Sequence, residues 1–271
     1  MSLSIVIVSW NARADLERCL SSLSIAPPRI DHEIVVVDNA SSDGAPEMVA
    51  ERFPLVRLVR AGGNLGFAKA NNVGIRATTG ELVLLLNPDT VVEPDSLDRL
   101  ITRLEERPEV AVAGPRIVDS AGRAELSFGS MPSPFTEARQ KVIGALHERG
   151  FGPVSRWVER ATRREQIVDW VSGACLLVRR PDAEAVHLFD ERYFLYWEDV
   201  DFCAAIRDRG RLVLFAPAAQ IIHLRGRSGA GHRSAVNQAY RKGQLAYYEK
   251  HRPGWLPFVR SYLSRRGRLP R

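Results

Sequence analysis

Short apolar segments alternate with amphipathic ones through the first 110 residues, and this alternation limits the possible folds more than any other feature of the chain. The amphipathic segment after Asn11 places Leu16, Leu20 and Leu23 on one face of a helix that Asn11 can cap. Strands that are apolar on both faces and joined by helices are typical of a parallel sheet covered on both sides. We therefore predict an α/β fold with a mostly parallel central sheet and helices on both faces. The predicted strands are 4–10, 33–38, 56–60 and 81–86, and the predicted helices begin after Asn11, after Gly44, at 66 and at Pro94.

The pattern changes after about residue 110. A strand is predicted over 111–119, whereas the segment 120–165 is rich in Gly, Pro and Arg and predicts excursions and short helices. The strongly apolar segment 167–180 predicts one strand. The remaining predictions are a helix that follows an aromatic turn at 193 and ends at Gly210, two short strands at 211–215 and 220–224, and a helix over 234–251.

The charge balance favours anionic partners. The chain carries 38 Lys and Arg against 32 Asp and Glu, a formal net charge of +6 with a pI of about 9.5, which suits nucleotides, phosphorylated lipids or a membrane surface. The C-terminal stretch RSYLSRRGRLPR lacks acids and suits contact with an anionic membrane, although a solvated tail explains it equally well. No basic run with interleaved aromatics is present, so we expect no nucleic-acid partner.

Cysteine usage and hydropathy predict the compartment. Cys19, Cys175 and Cys203 lack metal-ligand spacing and predict buried thiols in a reducing cytoplasm. No run approaches the roughly 18 apolar residues of a membrane-spanning helix, and the apolar opening segment is too short for a signal peptide. We therefore expect a protein that is soluble in the cytoplasm or peripheral at the inner face of the membrane.

Polar side chains follow three of the predicted strands at the point where each strand ends. They are Ser9 to Asn11, Asp38 with Asn39, and Asn87 to Asp89. In open α/β sheets, ligands bind outside the carboxyl ends of the strands, so these side chains predict a binding crevice. Turn formation is the alternative at each position, since Asn, Pro and Asp favour turns and Asp38 can form an Asx turn.

The segment 61–72, AGGNLGFAKANN, is rich in Gly and Asn and leads into a predicted helix. Such segments allow backbone N–H groups to approach phosphates, although a tight turn is the simpler interpretation. Gly62, Gly63 and Gly66 do not have the spacing of a dinucleotide fingerprint, which would also follow the first strand. A dinucleotide cofactor is therefore not predicted.

Two acids, Glu198 and Asp199, lie at the predicted start of a helix beside Tyr196 and Trp197. The helix dipole alone favours acids there. Aromatic neighbours, however, suggest contact with a sugar ring and a raised carboxyl pKa, which suits acid–base catalysis.

The strand-end acid Asp89 suits a hard cation that also binds substrate phosphates. His223 follows an apolar strand and predicts a structural hydrogen bond, or a metal ligand if the fold brings it near Asp89. Arg225 and Arg227 stand beside glycines and can bind a diphosphate or face water.

Together these pieces resemble the family 2 glycosyltransferases, in particular the bacterial rhamnosyltransferase-like branch. The matching text runs in order over roughly residues 3–230: SIVIVSWN, VVVDNASSDG, GGNLGFAKANNVGI, LLLNPDT, DWVSGACLLVRR, FLYWEDVDFCAAIRDRG and IIHLRGRSG. The resemblance implies a GT-A fold, a nucleotide-sugar donor and a divalent metal, Mg²⁺ or Mn²⁺. It also implies a catalytic domain over 1–230, with a nucleotide-binding half (1–110) and an acceptor-binding half (111–230), followed by a helical basic extension over 231–271.

The resemblance assigns roles residue by residue. Asp89 takes the metal-binding position of the family's D-x-D motif, in which Asn87 here replaces the first Asp, and His223 falls where a late metal ligand is often supplied. Asp199 matches the general base, with Glu198 beside it. The implied nucleotide-binding residues are Ser9, Asn11, Asp38, Asn64, Gly66, Lys69 and Asn87; the implied acceptor or sugar contacts are Trp170, Ser172, Gly173 and Trp197; Arg225 and Arg227 are implied at the diphosphate.

The predicted function is inverting transfer of a sugar from dTDP-rhamnose or another nucleotide sugar to a hydroxyl of a glycan or lipid-linked acceptor, in cell-surface polysaccharide synthesis. One alternative is a nucleotidyltransferase of related α/β fold, but SWNARAD after the first strand is not its phosphate loop. The other is a non-catalytic nucleotide- or sugar-binding module, against which both Asp89 and Asp199 are present.

Overall fold

The computed structural model describes residues 1–224 and 233–270. The elements of its first part are β1 (Ser2–Ser9), α1 (Arg13–Ile25), β2 (Asp31–Asp38), α2 (Ala45–Arg52), β3 (Arg57–Arg60), α3 (Phe67–Arg76) and β4 (Leu82–Leu86). This part has the predicted alternation of strands and helices, because β1, β4 and the second half of β2 are buried on both faces and the connecting helices each bury one apolar face.

The second part mixes short strands with helices of varied length. The predicted excursion over 120–165 contains a 15-residue helix that begins with a capping box, in which Ser133 and Thr136 satisfy each other's backbone N–H groups. The elements are β5 (Thr90–Val92), α4 (Ser96–Glu105), β6 (Val110–Val118), β7 (Phe128–Gly129), α5 (Pro134–Glu148), α6 (Gly152–Ala161), β8 (Gln166–Val168), β9 (Trp170–Val171), β10 (Cys175–Arg179), α7 (Arg180–Ala185), α8 (Glu198–Asp208), β11 (Leu212–His223), α9 (Arg233–His251), a 3₁₀ turn (Pro253–Trp255) and α10 (Leu256–Arg265).

The central sheet has the order β3-β2-β1-β4-β10-β6-β11-β5, with β8 paired to β11. Strands β1 to β4 are parallel, and so are β6 and β11. Strand β10 runs antiparallel between β4 and β6, and its first residue, Cys175, pairs with Leu86 at the carboxyl end of β4. The turn that precedes β10 therefore lies at the edge of the sheet where α/β proteins bind ligands.

The core lies on both faces of the sheet, because successive side chains of a strand point to opposite sides. On one face Ile5 and Ile7 of β1 pack with Leu16 and Leu20 of α1. On the other face Val6 packs in a cluster that includes Ile75 of α3, together with residues of α8 and α9.

The prediction that Asn11 caps the first helix is wrong. Helix α1 begins at Arg13 with Ala12 at the N-cap and no side-chain cap bond. Asn11 has a left-handed backbone (φ 50°), and its amide oxygen accepts hydrogen bonds from the backbone N–H and the hydroxyl of Ser42. Asn11 therefore joins the loop after β1 to the loop after β2.

Two strand predictions also differ from the structure. The apolar segment 167–180 is divided among β8, β9 and β10, which pair with different strands. The two predicted strands at 211–215 and 220–224 form the single strand β11, which is irregular between Ala216 and Gln220. Apolar composition reports burial, but it does not report which partner each backbone segment pairs with.

The C-terminal helices α9 and α10 pack against earlier elements of the chain. Tyr247, Tyr248, Val259 and Leu263 are buried in the same cluster as residues of β1 and α8. The division at residue 230 stays a prediction. None of the helices in the described part of the chain is long and apolar enough to cross a membrane.

Candidate active site

The carboxyl ends of β1 and β2 lie side by side, with Ser9 in register with Asp38. Ser9 is fully buried, and its hydroxyl has no hydrogen-bond partner among the described residues. The buried Asp38 carboxylate accepts hydrogen bonds from the backbone N–H of Ser41 at 3.2 and 3.3 Å, the Asx turn that the sequence allowed. The nucleotide-binding roles of both residues stay predictions, and a free buried hydroxyl at a strand end is consistent with one.

The buried Asn39, which the sequence placed at a polar strand end without an individual role, organises the loop before α3. Its amide nitrogen donates to the Asn64 side chain at 3.0 Å and to the Gly66 carbonyl at 3.2 Å, while its oxygen accepts from Leu65 N–H at 2.8 Å. The glycine-rich segment is thereby held against the end of β2. The only signal in the sequence was the position of Asn39 directly after a strand.

The loop before α3 also contacts the loop before α8. Gly66 has φ 79° and ψ −176°, and a Cβ built on it would lie 2.4 Å from the Phe194 carbonyl oxygen. The Phe67 N–H donates to that same oxygen at 2.6 Å. Lys69 is half exposed, 3.9 Å from the Glu191 carboxylate. Gly66 is therefore needed for a close backbone approach, and the predicted nucleotide contacts of Asn64, Gly66 and Lys69 stay predictions.

The turn before β10 connects the strand-end motif to the predicted base. The Gly173 N–H donates to the Asp199 carboxylate at 3.0 Å, and the Asn87 N–H donates to the carbonyl of Ala174 at 2.9 Å. The amide oxygen of Asn87 is buried and has no partner among the described residues. The strand-end motif and the start of α8, which are distant in the chain, are thus both hydrogen-bonded to one turn at the carboxyl edge of the sheet.

The fold places His223 beside Asp89. The sequence predicts that His223 is a metal ligand if these two residues lie close together. The imidazole Nε2 lies 3.2 Å from the Asp89 carboxylate, and Nδ1 lies 3.6 Å from that of Glu125. All three side chains are about nine-tenths buried. Burial lowers the pKa of His223, but the two neighbouring carboxylates outweigh burial and raise it to about 9. Glu125, which lies in the irregular segment after β6, was missed by the sequence reasoning.

The donor types at this position suit a divalent cation. Asp89 offers a carboxylate and His223 an imidazole, both of which Mn²⁺ accepts, and the buried Asn87 oxygen lacks a partner in the described part of the chain. No group of three or more His, Cys, Asp or Glu side chains is arranged to hold a metal ion within residues 1–224 and 233–270. The residues fit a site with few protein ligands, in which donor phosphates complete the coordination.

The predicted catalytic acids begin α8. Asp199 accepts hydrogen bonds from Gly173 N–H at 3.0 Å and from Val200 N–H at 2.8 Å. Burial raises the pKa of Asp199, and the two hydrogen bonds oppose that rise. Glu198 is buried, and burial together with the charge of Asp199 raises its pKa to about 8. Because one Glu198 oxygen has no partner among the described residues, Asp199 is the acid of the pair better placed to carry the negative charge.

The backbone before α8 is strained and is supported by α9. Tyr196 (φ 67°) and Trp197 (φ 75°) are consecutive left-handed residues without being glycine, a conformation that clusters at functional sites. A Cβ built on Gly243 of α9 would lie 2.8 Å from the Tyr196 carbonyl and 3.1 Å from the Trp197 ring. A glycine in the middle of a helix is unfavourable, so this close approach explains its presence.

The four predicted acceptor residues lie in different surroundings. The Trp170 indole donates to the Ser130 carbonyl at 3.1 Å, and Ser172 N–H donates to the Ser127 carbonyl at 2.8 Å. Gly173 contacts Asp199, as described above. Trp197 is only 5% exposed and packs on aromatic rings of α9. Their acceptor roles stay predictions, as does the diphosphate role of Arg225 and Arg227, which lie outside the described residues.

The third acid of the YWEDVDF segment, Asp201, links α8 to the end of α9. Its buried carboxylate accepts hydrogen bonds from the Tyr193 hydroxyl at 3.1 Å, from Lys250 at 3.0 Å and from His251 at 2.6 Å. Helix α9 therefore helps to position α8, the helix that bears Glu198 and Asp199.

Glu198→Gln should make the stability of the protein less sensitive to alkaline pH. Glu198 has a reference pKa of 4.5 and a pKa of about 8 in the folded protein, so unfolding releases a proton between these values and stability falls as pH rises through them. Gln cannot ionise, and the variant should gain a few kcal/mol relative to wild type at and above about pH 8. Thermal unfolding across pH measures the difference. Glu51→Gln, at an exposed position of α2, is the control, and parallel curves for wild type and Glu198→Gln would contradict the assigned burial effect.

Comparison with known sequences gives two informative matches. A family model described as glycosyl transferase family 2 matches residues 4–165. The chain is 34% identical over 265 residues to N-acetylglucosaminyl-diphospho-decaprenol L-rhamnosyltransferase of Mycobacterium tuberculosis (strain ATCC 25618 / H37Rv), covering 93% of this chain and 86% of that protein.

Two solved structures resemble the chain over nearly its whole length. One is GalNAc-T7 with UDP, GalNAc and Mn²⁺, with a TM-score of 0.67 at 17% identity over 96% of this chain and 51% of that chain. The other is the mannosyltransferase PcManGT from Pyrobaculum calidifontis in complex with GDP-Man and Mn²⁺, with a TM-score of 0.62 at 21% identity over 95% of this chain and 67% of that chain. At these identities the likeness concerns the fold.

Proposed function

The chain belongs to glycosyl transferase family 2 and has the GT-A fold, and from this premise we propose that it transfers rhamnose, with inversion, from dTDP-rhamnose to a hydroxyl of a lipid-linked glycan. Family membership makes it a glycosyltransferase, which removes the nucleotidyltransferase and the non-catalytic binding module as alternatives. The proposal goes further in naming the donor, the acceptor class, the base and a divalent metal.

One observation carries the assignment of the reacting groups. Asp199 and the Asn87–Asp89 strand end are joined through two consecutive residues, Gly173 and Ala174. A base for the acceptor and a group for the leaving diphosphate must act on opposite sides of one anomeric carbon. Because Asp199 and the Asn87–Asp89 strand end are bonded to the same turn, they offer neighbouring positions for the base and for the group that acts on the diphosphate.

Asp199 is proposed as the general base. It removes the proton of the acceptor hydroxyl as that oxygen bonds to the anomeric carbon, while the bond from that carbon to the diphosphate breaks and the diphosphate leaves with the electron pair. Attack opposite the leaving group inverts the configuration. The raised pKa of Asp199 strengthens it as a proton acceptor, and the N–H groups of Gly173 and Val200 hold the carboxylate in place.

Asp89 and His223 are proposed to hold Mg²⁺ or Mn²⁺ at the donor diphosphate, with Glu125 orienting the imidazole. A cation bound there would offset the negative charge that develops on the leaving diphosphate. The Glu125 carboxylate beside Nδ1 leaves Nε2 directed at Asp89, which is the arrangement that carboxylates commonly impose on histidine ligands.

Donor and acceptor follow from the relative rather than from a contact in this chain. The matched M. tuberculosis protein is named for transfer of L-rhamnose to N-acetylglucosaminyl-diphospho-decaprenol. An acceptor carried by a lipid diphosphate also suits a chain with a net charge of +6. We therefore propose a cytoplasmic site of action at the inner face of the membrane.

A thermal-shift panel of dTDP, UDP, GDP and CDP, each with and without Mn²⁺, tests the donor side. A nucleotide at about a hundred times its Kd stabilises the native state by about 2.7 kcal/mol, which raises the melting temperature by roughly 5–10 °C. We expect this shift with dTDP and Mn²⁺ together. A shift with UDP or GDP alone would overturn the donor, and transfer assays with the corresponding sugar nucleotide would then identify it.

Asp89→Ala should abolish the Mn²⁺-dependent part of this nucleotide shift, because it removes the predicted carboxylate ligand. Asp208→Ala, at an exposed position of α8, is the matched control and should keep the full shift. A nucleotide shift unchanged by both Asp89→Ala and EDTA would exclude the proposed metal role.

A further inference from the structure

An exposed aromatic cluster lies where α5 meets the C-terminal helices. Phe135 is 72% exposed, Trp255 38% and Phe258 57%. The rings of Phe135 and Trp255 are 5.6 Å apart, and those of Trp255 and Phe258 are 6.1 Å apart, both edge to face. Three large rings from two distant segments thus form one continuous apolar surface, a feature that marks an interaction site.

The aromatic surface continues along α10. Tyr262 is 47% exposed and lies four residues after Phe258, on the same side of the helix. The neighbouring side of α10 is the one that packs inward, through Val259 and Leu263. The core therefore already holds α10 without the aromatic side chains, which leaves their exposure unexplained by folding. We refer to Phe135, Trp255, Phe258 and Tyr262 as the aromatic face.

The segment that carries three of the four rings, Trp255, Phe258 and Tyr262, has charge of one sign. Residues 252–271 contain six arginines and no Asp or Glu: Arg252, Arg260, Arg265, Arg266, Arg268 and Arg271. A second copy of the chain bound through the same surface would bring these charges against their equivalents, which opposes association. Aromatic rings flanked by arginines instead match the interface of an anionic bilayer, where the rings enter the headgroup region and the arginines meet lipid phosphates.

The aromatic face is rigidly connected to the acceptor-side segments. The Glu137 carboxylate of α5 accepts hydrogen bonds from Gln244 and Tyr248 of α9 at 2.7 and 2.6 Å. Phe135 lies five positions after Ser130, whose carbonyl accepts a hydrogen bond from the Trp170 indole, so the Cα atoms of Phe135 and Ser130 are at most about 18 Å apart. A membrane bound at the aromatic face would therefore lie close to the predicted acceptor segment.

We propose that the aromatic face and its arginines dock this protein on an anionic lipid bilayer, with the acceptor side of the site turned toward the membrane. The docking itself depends only on the exposed rings and the charge. The orientation rests on the proposed function, because it assumes an acceptor that is carried by a lipid. Docking and catalysis can accordingly be tested apart.

The test is co-sedimentation of the full chain with vesicles of phosphatidylcholine mixed with phosphatidylglycerol, and with vesicles of phosphatidylcholine alone. We expect binding to the mixed vesicles and little to the neutral ones. Each substitution Phe135→Ser, Trp255→Ser or Phe258→Ser should weaken binding by roughly tenfold, because it removes apolar area from the bilayer interface. Arg260→Gln and Arg265→Gln should each cost about fivefold, and only with the anionic vesicles.

Leu55→Ser and Ile25→Ser are the matched controls, since these side chains are 98% and 81% exposed outside the aromatic face, and both should bind vesicles as wild type does. The triple variant combines Phe135→Ser, Trp255→Ser and Phe258→Ser. Wild-type protein that stays in solution with mixed vesicles, or a triple variant that still binds them, overturns the proposal. So does a wild-type dimer that becomes a monomer in the triple variant. The nucleotide thermal shift reports separately on the donor site, so vesicle binding without that shift would count against the proposed function alone.

Discussion

Asp199→Asn should lower turnover by about 10²–10⁴-fold while leaving the affinity for the nucleoside diphosphate nearly unchanged. The substitution removes the proposed base, and it leaves the predicted nucleotide crevice at the ends of β1 and β2 in place. The N–H groups of Gly173 and Val200 donate to different oxygens of the carboxylate, and an asparagine amide has only one oxygen. One of these hydrogen bonds is therefore lost, which should cost about 1 kcal/mol of stability. Single-turnover transfer, measured with a saturating donor, separates the chemical step from binding.

Asp208→Asn is the control for this prediction, because it makes the same change at an exposed position of the same helix. Its turnover should equal that of wild type. Near-normal turnover of Asp199→Asn would show that the base is another group. Parallel loss of turnover and nucleotide affinity would instead indicate that the substitution disturbs the fold of the site.

Gly66→Ala should destabilise the protein by about 3 kcal/mol or more and remove most activity. The backbone at Gly66 (φ 79°, ψ −176°) is essentially restricted to glycine, and the new methyl group would lie 2.4 Å from the Phe194 carbonyl oxygen. Neither backbone segment can yield easily, because Phe67 N–H is bonded to that same oxygen. The melting temperature should fall by roughly 6–12 °C. Activity should fall because Phe194 begins the strained loop that leads to Glu198 and Asp199.

Gly62→Ala is the matched control in the same glycine-rich segment. Gly62 has a similar positive φ of 74°, but no atom lies within 4 Å of a Cβ built on it. It should therefore cost only the left-handed backbone strain, about 1–2 kcal/mol. Equal destabilisation by the two substitutions would mean that the contact between Gly66 and Phe194 contributes nothing.

The first part of the fold was predictable because its signals are local. Strands β1 and β4 and the second half of β2 are apolar on both faces, and this property follows from composition within a few residues of each position. The helices between them have apolar spacing that is equally local. By the same reasoning the carboxyl ends of these strands, with Ser9, Asp38 and Asp89, were selected as site positions before any contact was known.

The errors and omissions concern pairing between distant segments. Residues 167–180 form three strands because β8, β9 and β10 pair with different neighbours. The apolar residues of this segment are equally compatible with one long strand and with three short ones. Asn11 is a residue type favoured at helix N-caps, but its amide oxygen accepts a hydrogen bond from Ser42 of another loop. Glu125 belongs to no recognisable sequence motif. Its contact with His223 depends on β11, which is distant from Glu125 in the chain.

The α/β class, the polar strand ends and, through an ordered set of short motifs, the glycosyltransferase family follow from the amino-acid sequence without its structure. These features depend on local composition and on the order of residues along the chain, both of which the sequence states directly. Only the folded structure reveals that His223 contacts Asp89, that Gly173 and Ala174 connect Asp199 to the strand-end motif, and that Gly243 and Asp201 connect α9 to α8 and to the loop before it. Those contacts join residues that are tens to more than a hundred positions apart, and they form only when the sheet order brings their segments together.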